Sequence, residues 1–206
     1  MITLSSDFSI GVDLFPVAEK HQQALIDTLT HQQLPLWQAV PFFVSASIHK
    51  SLDGTRVFVY SQWEKPYLPT SSALAPALAA FYSPDRSALE VFVSRAAQVP
   101  IKIEVGDKVT HLAEFRMLPT QQKEMIALAT TEIDRAGAGK QGLLSATFHR
   151  SVDGTRVFNY GQWESEKAFQ AILKKEGFNP DTPYWAGIAK NEFHLYQVVA
   201  QFAKQV

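Results

Sequence analysis

Two side chains suited to chemistry, Asn159 and Trp163, lie four positions apart in the sequence NYGQW. In an extended strand this spacing places both side chains on the same face. A primary amide can hydrogen-bond a substrate carbonyl or phenolate, and an indole ring can orient an aromatic ligand. The amide could equally satisfy a backbone group at a strand edge. The sequence alone leaves both interpretations of Asn159 open.

The stretch around Asn159 is a near copy of a stretch one hundred residues earlier. Between residues 45–64 and 145–164, fourteen of twenty positions are identical without a gap. Each copy places an Asp-Gly pair between two runs rich in β-branched and aromatic residues, and Asp-Gly tolerates the positive φ angles of a tight turn. The chain is therefore a tandem repeat, and each copy contains a β-hairpin.

The two copies differ at the position of Asn159, which is Val59 in the first copy, whereas Trp63 is retained as the equivalent of Trp163. Retention of the tryptophan where the asparagine is lost favours a core role for both tryptophans, with Trp163 also forming a pocket wall. If this face of the hairpin lines a pocket, only the second pocket keeps its polar group.

Histidine can act as a general base near neutral pH. His194 is the main candidate, because the corresponding strand of the first copy, residues 89–96, has no histidine. His49 and His149 occupy equivalent places beside the two turns, which favours a structural role. The six histidines show no HxH, HxxxH or HExxH spacing, so no metal site is predicted.

Composition argues against several classes of function. With 19 Lys and Arg against 20 Asp and Glu, the net charge is -1, so neither nucleic acid nor an anionic membrane is a predicted partner. The chain has no cysteine, which excludes disulfides, thiolate nucleophiles and iron–sulfur sites. The first residues lack the pattern of a signal peptide, and no apolar run is long enough to span a membrane. We expect a cytoplasmic protein.

Hydrophobic periodicity predicts the order strand, helix, strand, strand, helix, strand in each copy. The predicted segments outside the hairpins are strands at 9–15, 89–96, 110–117 and 193–200, and helices at 16–34, from Thr120 to Gly137 and from Ser165 to Gly177. Thr120 and Ser165 are the expected N-caps. In the first copy Pro66, Pro69 and Pro76 fall in the expected second helix, which must be shortened, shifted or kinked.

This order matches the split βαβ or ferredoxin-like pattern. The predicted fold is α+β, with two ferredoxin-like repeats at 1–98 and 108–206. One strand face in each repeat is too aromatic to stay exposed, because it carries Phe58 and Tyr60 or Phe158 and Tyr160. We therefore expect the two sheets to pack face to face as an intramolecular pseudo-dimer. Further assembly into a homodimer is left open.

The hairpin with Asp-Gly-Thr-Arg, followed by Val-x-Asn-Tyr-x-Gln-Trp-Glu and a short amphipathic helix, resembles the antibiotic biosynthesis monooxygenase (ABM) domain family. Two such domains would cover nearly the whole chain. The resemblance implies a dimeric α+β barrel and an enzyme that oxidises an electron-rich aromatic with O₂, without a metal, flavin or other cofactor. It also implies that Asn159 and Trp163 lie in the cavity, and the first copy departs from this pattern at Val59.

On this resemblance, the predicted function is a cofactor-independent monooxygenase acting on a hydrophobic, phenolic or quinol-like aromatic. Asn159 would stabilise the substrate anion, Trp163 would orient the ring or the oxygen, and His194 or water would take the proton. We expect the second repeat to carry the functional pocket and the first to serve mainly as its packing partner. The predicted substrate-binding residues are Phe148, Phe169, Tyr184 and Trp185.

Two other functions compete with this one. A haem-binding or haem-degrading barrel of the same superfamily would need a histidine on or near the second helix, and residues 165–175 contain none. A non-catalytic aromatic-binding or stress-related barrel fits if Asn159 only caps a strand.

Overall fold

The computed structural model describes residues 2–66, 75–174 and 183–204. Contacts divide the chain into two units. Unit 1 comprises Met1–Glu90, Lys102–Gly106 and Tyr196–Val206, and unit 2 comprises Val91–Ile101 and Asp107–Leu195. The last strand of each repeat therefore contributes residues to both units. The repeat limits expected from the sequence, 1–98 and 108–206, stay a prediction.

The order strand, helix, strand, strand, helix, strand occurs twice, and the predicted α+β class with ferredoxin-like repeats is confirmed. The strands are β1 (Ile2–Thr3), β2 (Ser9–Pro16), β3 (Phe43–Ser51), β4 (Arg56–Trp63), β5 (Asp85–Ala96), β6 (Lys102–Ile103), β7 (Val109–Arg116), β8 (Leu143–Ser151), β9 (Arg156–Trp163) and β10 (Lys190–Ala203). The helices are α1 (Gln22–Thr28), α2 (Leu34–Gln38), α3 (Pro76–Phe81), α4 (Gln122–Ala136) and α5 (Glu166–Leu173). A π-helical turn (Leu29–Gln33) joins α1 to α2, and 3₁₀ turns precede α1 (Glu19–His21) and α4 (Pro119–Gln121).

In unit 1 the antiparallel strands follow the order β10-β3-β4-β2-β5. The helices cover one face of this sheet. Leu25, Leu29 and Leu78 come from the helical side and pack with Val59 and Trp63 of β4 in one buried apolar cluster. Burial of this cluster, at roughly 1.5–3 kcal/mol per large apolar side chain, is what fixes the helices on this face.

In unit 2 the strand order is β5-β8-β9-β7. Met125, Ala129 and Ile133 recur every four residues on α4 and are all buried, as expected for one apolar face of a helix. They share a core with Phe169 of α5 and Trp163 of β9. This core lies between the two helices and one face of the sheet, and the candidate site is built on the same face.

Two predicted helix ends, Ser165 and Gly137, agree with the structure, whereas the helix expected at 16–34 begins at Gln22 and continues through the π-helical turn to Gln38. Ser165 is the N-cap of α5, with its Oγ accepting a hydrogen bond from the Ala168 N–H at 3.2 Å. Gly137 ends α4 at a φ of 67°, a conformation that glycine adopts without strain. Thr120 as an N-cap is wrong: Pro119 starts a 3₁₀ turn that includes Thr120, and α4 begins only at Gln122.

The second helix of the first repeat is shortened, as the prolines predicted. It begins with Pro76 at its first turn and extends over only Pro76–Phe81. Pro66 precedes it, whereas Pro69 lies outside the described residues, as does Gly177, the expected end of the corresponding helix in the second repeat. In the part of the chain that the structure describes, no helix has both the length and the apolar character needed to cross a membrane.

Candidate functional site

The candidate site lies on the helix-facing side of β9. Val157 and Trp163 of this strand belong to the buried core under α4 and α5. Alternate residues of a strand share a face, so Asn159 and Gly161, which stand between them, point to the same side. β9 therefore presents an amide and a bare backbone position to a surface that is otherwise apolar.

Asn159 is flanked by Ala113 of β7 and Phe148 of β8, its partners in the two neighbouring ladders. Its Oδ1 atom is buried and has no hydrogen-bond partner among the described residues. A buried polar atom without a partner costs about 1–3 kcal/mol, which folding tolerates where a ligand can satisfy it. The expectation that Asn159 satisfies a strand-edge backbone group therefore loses support, and the ligand-binding interpretation gains it.

His111 of β7 is paired with Gly161 across the ladder, on the same face as Asn159. Its ring lies 4.7 Å from the ring of Phe169 and 5.2 Å from that of Phe193. A β-carbon built at position 161 would lie 3.3 Å from Trp163 Nε1 and 3.6 Å from His111 Nδ1. Two ring nitrogens thus flank the place where Gly161 has no side chain.

Burial alone lowers the pKa of His111 to about 3. The imidazole is therefore neutral near pH 7, and one ring nitrogen carries a lone pair that can accept a proton. We define the polar cluster as His111, Asn159 and Trp163. Its groups can donate hydrogen bonds to an oxygen of an aromatic molecule, accept them from it, and take its proton.

The equivalent face of the first repeat is filled differently. There Gly11, Val59 and Ser61 stand where the second repeat has His111, Asn159 and Gly161. The indole N–H of Trp63 donates to Ser61 Oγ at 2.9 Å, and Ser61 Oγ donates to the carbonyl of Gly11 at 3.2 Å.

Two further groups fill this face of unit 1. The buried ring of Trp37 packs edge-on against Trp63 with centroids 5.7 Å apart, and the second repeat has Gly137 at the position of Trp37. Asp13, opposite Val59, is buried beside Arg86, with Oδ2 at 3.5 Å from Nε. The first repeat therefore satisfies the Trp63 indole through Ser61, and it packs an extra indole ring where the second repeat has none.

The four predicted substrate-binding residues all belong to the unit 2 core or pack against it. Phe169 stacks edge-on with Trp163 at 5.4 Å, and Phe148 is the ladder partner of Asn159. Tyr184 and Trp185 form a second aromatic group around Phe115, one row further along the sheet, with Trp185 at 5.3 Å from the Phe115 ring. Burial raises the pKa of Tyr184, with a smaller contribution from Glu132, so its hydroxyl stays protonated. Asn159 stands in the row between the two aromatic groups.

His194 is not brought to the polar cluster. Its neighbour Phe193 contacts Phe169 and His111, and successive residues of a strand point to opposite faces, so His194 points away from this surface. Its Nε2 lies 3.3 Å from the Glu192 carboxylate instead. The sequence could not show this, because β10 mixes apolar and polar residues on both faces.

His111 was not predicted from the sequence, although the first copy has Gly11 instead of a histidine at the equivalent position. The signal that could have found it is the pair of changes on one face, Gly11 to His111 and Ser61 to Gly161. Together these changes remove the Ser61 hydroxyl, which makes hydrogen bonds within the first repeat, and add the His111 imidazole beside Gly161, which has no side chain.

Loss of hydration keeps three histidines neutral in the folded chain, the buried His49 and His149 and the half-buried His111, and this predicts acid sensitivity. Burial lowers the pKa of His49 and His111 to about 3 and that of His149 to about 4. Their unfolded pKa is about 6.5, so below that pH the unfolded chain binds protons that the folded chain does not. The free energy of unfolding should therefore be fully retained above about pH 6.5 and fall steadily as the pH drops towards 4.

Urea unfolding at a series of pH values measures this dependence. His111→Gln should reduce the dependence of the free energy of unfolding on pH, because one of the three groups no longer titrates. A free energy of unfolding that does not vary over this range would contradict the prediction.

Within residues 2–66, 75–174 and 183–204, no group of three or more His, Asp or Glu side chains is arranged to hold a metal ion.

Comparison with known proteins assigns the chain to a family. The antibiotic biosynthesis monooxygenase family model matches residues 108–179, the part of the second repeat that contains the polar cluster. Tetracenomycin-F1 monooxygenase of Streptomyces glaucescens is 32% identical over 99 residues, which cover 47% of this chain and 86% of that protein. The chain belongs to the antibiotic biosynthesis monooxygenase family. The resemblance predicted from the NYGQWE stretch is thereby confirmed.

Solved structures extend the likeness of this ABM family member to the whole chain. A crystal structure of an anthrone oxidase-like protein covers 100% of this chain and 97% of its own, with a TM-score of 0.77 and 18% identity. A major regulator of staphylococcal pathogenesis covers 92% of this chain and 99% of its own, with a TM-score of 0.53 and 12% identity. At these identities the likeness concerns the fold alone. An oxidase-like protein and a regulator share it, so function must be argued from the site.

Proposed function

We propose that this protein is a cofactor-independent monooxygenase that oxidises a hydrophobic, phenolic or quinol-like aromatic with O₂, and that the site lies in the second repeat. The observation that carries the proposal is the buried amide of Asn159. Its Oδ1 has no partner among the described residues, and it stands between two groups of aromatic side chains.

Family membership supports an oxygenase reaction. The matching relative is a monooxygenase, and the family match falls on the repeat that has Asn159 rather than on the repeat that has Val59. Phe193, which contacts both Phe169 and His111, is 43% exposed and marks the side from which a substrate can enter. A flat aromatic ring suits the edges and faces that these side chains present.

The chemistry requires no external reductant. The substrate anion donates one electron to O₂, and the radical pair combines to form a C–O bond to the ring carbon. The resulting peroxide takes up a proton and loses water, which leaves a carbonyl on that carbon. The substrate gives up four electrons in all and O₂ accepts four, so one oxygen atom ends in the product and the other in water.

The protein has to favour the substrate anion and hold it in a dry site. The Asn159 amide can turn about its χ2 bond to direct Nδ2–H at the developing negative charge, and in a water-excluded site such a donor contributes about 2.7–4 kcal/mol to transition-state stabilisation. Trp163 and Phe169 would fix the plane of the ring. Fixing the ring places its electron-rich carbon where O₂ can meet it.

Oxygen consumption tests the proposal. Chelator-treated protein should consume O₂ in the presence of anthrones or 1-naphthols, whose reacting carbon bears no oxygen, and, with ¹⁸O₂, leave one labelled atom in the quinone product. Haem titration is run in parallel, because a Soret shift would favour haem binding. If the protein binds these aromatics but consumes no O₂ with any of them, the result would contradict the oxygenase function and favour a ligand-binding protein.

A further inference from the structure

The two repeats have different polar groups around the equivalent positions 61 and 161. In the first repeat a hydroxyl, Ser61 Oγ, accepts a hydrogen bond from the Trp63 indole at 2.9 Å and donates one to the backbone of Gly11 at 3.2 Å. In the second repeat the hydroxyl is missing at Gly161, the indole is retained in Trp163, and position 11 has become His111.

We propose that the ionisable oxygen of the aromatic substrate occupies the place beside Gly161 that the first repeat fills with the Ser61 hydroxyl, and that His111 takes the proton of this oxygen. This inference rests on the proposed function and names the oxygen-binding point and the base of the same site.

The geometry around Gly161 supports this placement. A β-carbon at this position would lie 3.3 Å from Trp163 Nε1 and 3.6 Å from His111 Nδ1, so an oxygen atom near the same point comes within hydrogen-bonding reach of both rings. The substrate hydroxyl would then accept from an indole and donate towards position 111, which repeats the two hydrogen bonds of Ser61. Glycine keeps this place open, since any larger residue would fill it.

His111 is suited to receive the proton because no group of the described chain uses its ring nitrogens. Its contacts are the aromatic rings of Phe169 and Phe193, and burial keeps the imidazole neutral with a pKa of about 3. In the tautomer with the proton on Nε2, Nδ1 carries the lone pair that faces position 161.

Proton transfer moves the hydroxyl proton to Nδ1 and leaves a phenolate beside an imidazolium. The cost of a buried imidazolium is offset only while the phenolate is present, since the opposite charges attract strongly in an apolar site. The Asn159 amide, two residues along the same strand face, can donate to the same oxygen or to the adjoining ring carbonyl. The proton on His111 returns to the peroxide when water is eliminated.

The experiment uses 4-nitrophenol, which is yellow as the anion and colourless as the neutral phenol, and whose electron-poor ring does not react with O₂. It is titrated into the full-length protein at a pH below its solution pKa. The wild type should bind it and develop the anion absorption. His111→Gln and His111→Asn should still bind the phenol but leave it colourless, and should lower kcat for the O₂ reaction by about 10²–10⁴-fold.

Gly161→Ser rebuilds the arrangement of the first repeat and should weaken nitrophenol binding by about tenfold or more, because its hydroxyl occupies the place of the ligand oxygen. Its backbone conformation does not require glycine, but the added β-carbon would lie 3.3 Å from Trp163 Nε1, so thermal unfolding is measured alongside binding to show that the variant is folded. Ser61→Ala, the matched control, removes the acceptor of the Trp63 indole and should leave nitrophenol binding unchanged.

An anion absorption that persists in both His111 variants would overturn the role of His111. Wild-type binding in Gly161→Ser, or a wild type that does not bind nitrophenol, would overturn the oxygen site. The proposed oxygenase reaction is tested separately. If the protein forms a yellow complex that depends on His111 but consumes no O₂ with any aromatic, the oxygen site is supported and the oxygenase reaction is contradicted.

Discussion

Replacing Asn159 by valine should lower kcat/KM for the aromatic substrate by about 10²–10³-fold, the usual effect of removing one donor to a developing oxygen anion. The same substitution should leave the free energy of unfolding unchanged or raise it by about 1 kcal/mol, because it removes a buried polar group that has no partner in the described chain. Val59, fully buried at the equivalent position, shows that valine fits this strand face.

A variant that loses activity but not stability indicates that the Asn159 amide binds the ligand, whereas a variant that loses stability indicates that the amide is structural. If Asn159 served the fold, its loss would cost about 1–3 kcal/mol. Ile133→Val, a change in the same core that should cost about 1 kcal/mol, is the control, and it should leave kcat/KM unchanged. A variant Asn159→Val that is less stable and retains full activity would show that the amide is structural.

Replacing Val59 by asparagine should destabilise the protein by about 2–4 kcal/mol and create no second site. The change removes a fully buried valine from the core of unit 1 and adds an amide that must be desolvated. A hydrogen bond to Asp13, which lies opposite on β2, would offset only part of this cost, since that carboxylate already faces Arg86.

The absence of a new site follows from the neighbours of Val59. Trp63 already donates to Ser61, and Trp37 packs against the Trp63 ring. Urea unfolding measures the loss of stability, and Val59→Thr, which keeps the shape and adds one hydroxyl, provides the smaller reference change. Val59→Asn with wild-type stability and a second nitrophenol site per chain would contradict the prediction.

The helices and strands could be predicted well from the sequence, because a pattern found in one copy can be checked at the equivalent positions of the other. The strands recur at equivalent positions in β4 and β9, the N-cap Ser165 precedes a clear apolar stripe, and Pro76 marks where the second helix of the first repeat is cut short. The substitution of Val59 for Asn159 on one strand face also pointed to the repeat that the family model matches.

The rest of the site could not be read from the sequence because it depends on ladder register. His111 lies beside Gly161 only because β7 and β9 pair in one particular register, and a shift of one residue would put His111 on the other face. The same uncertainty about faces led to His194, which the structure turns away from the site. Thr120 failed as an N-cap because Pro119 favours an earlier 3₁₀ turn that pattern alone does not reveal.

The central claim is that one site per chain exists and that the second repeat carries it. Calorimetric titration with 4-nitrophenol tests it most directly, since the number of sites is obtained without turnover. We predict one site per chain in the wild type and in Ser61→Ala, and binding that is weaker by about tenfold or more in Asn159→Val and in Gly161→Ser. Two equivalent sites in the wild type, or one site that keeps the wild-type affinity in both variants of the second repeat, would contradict the claim.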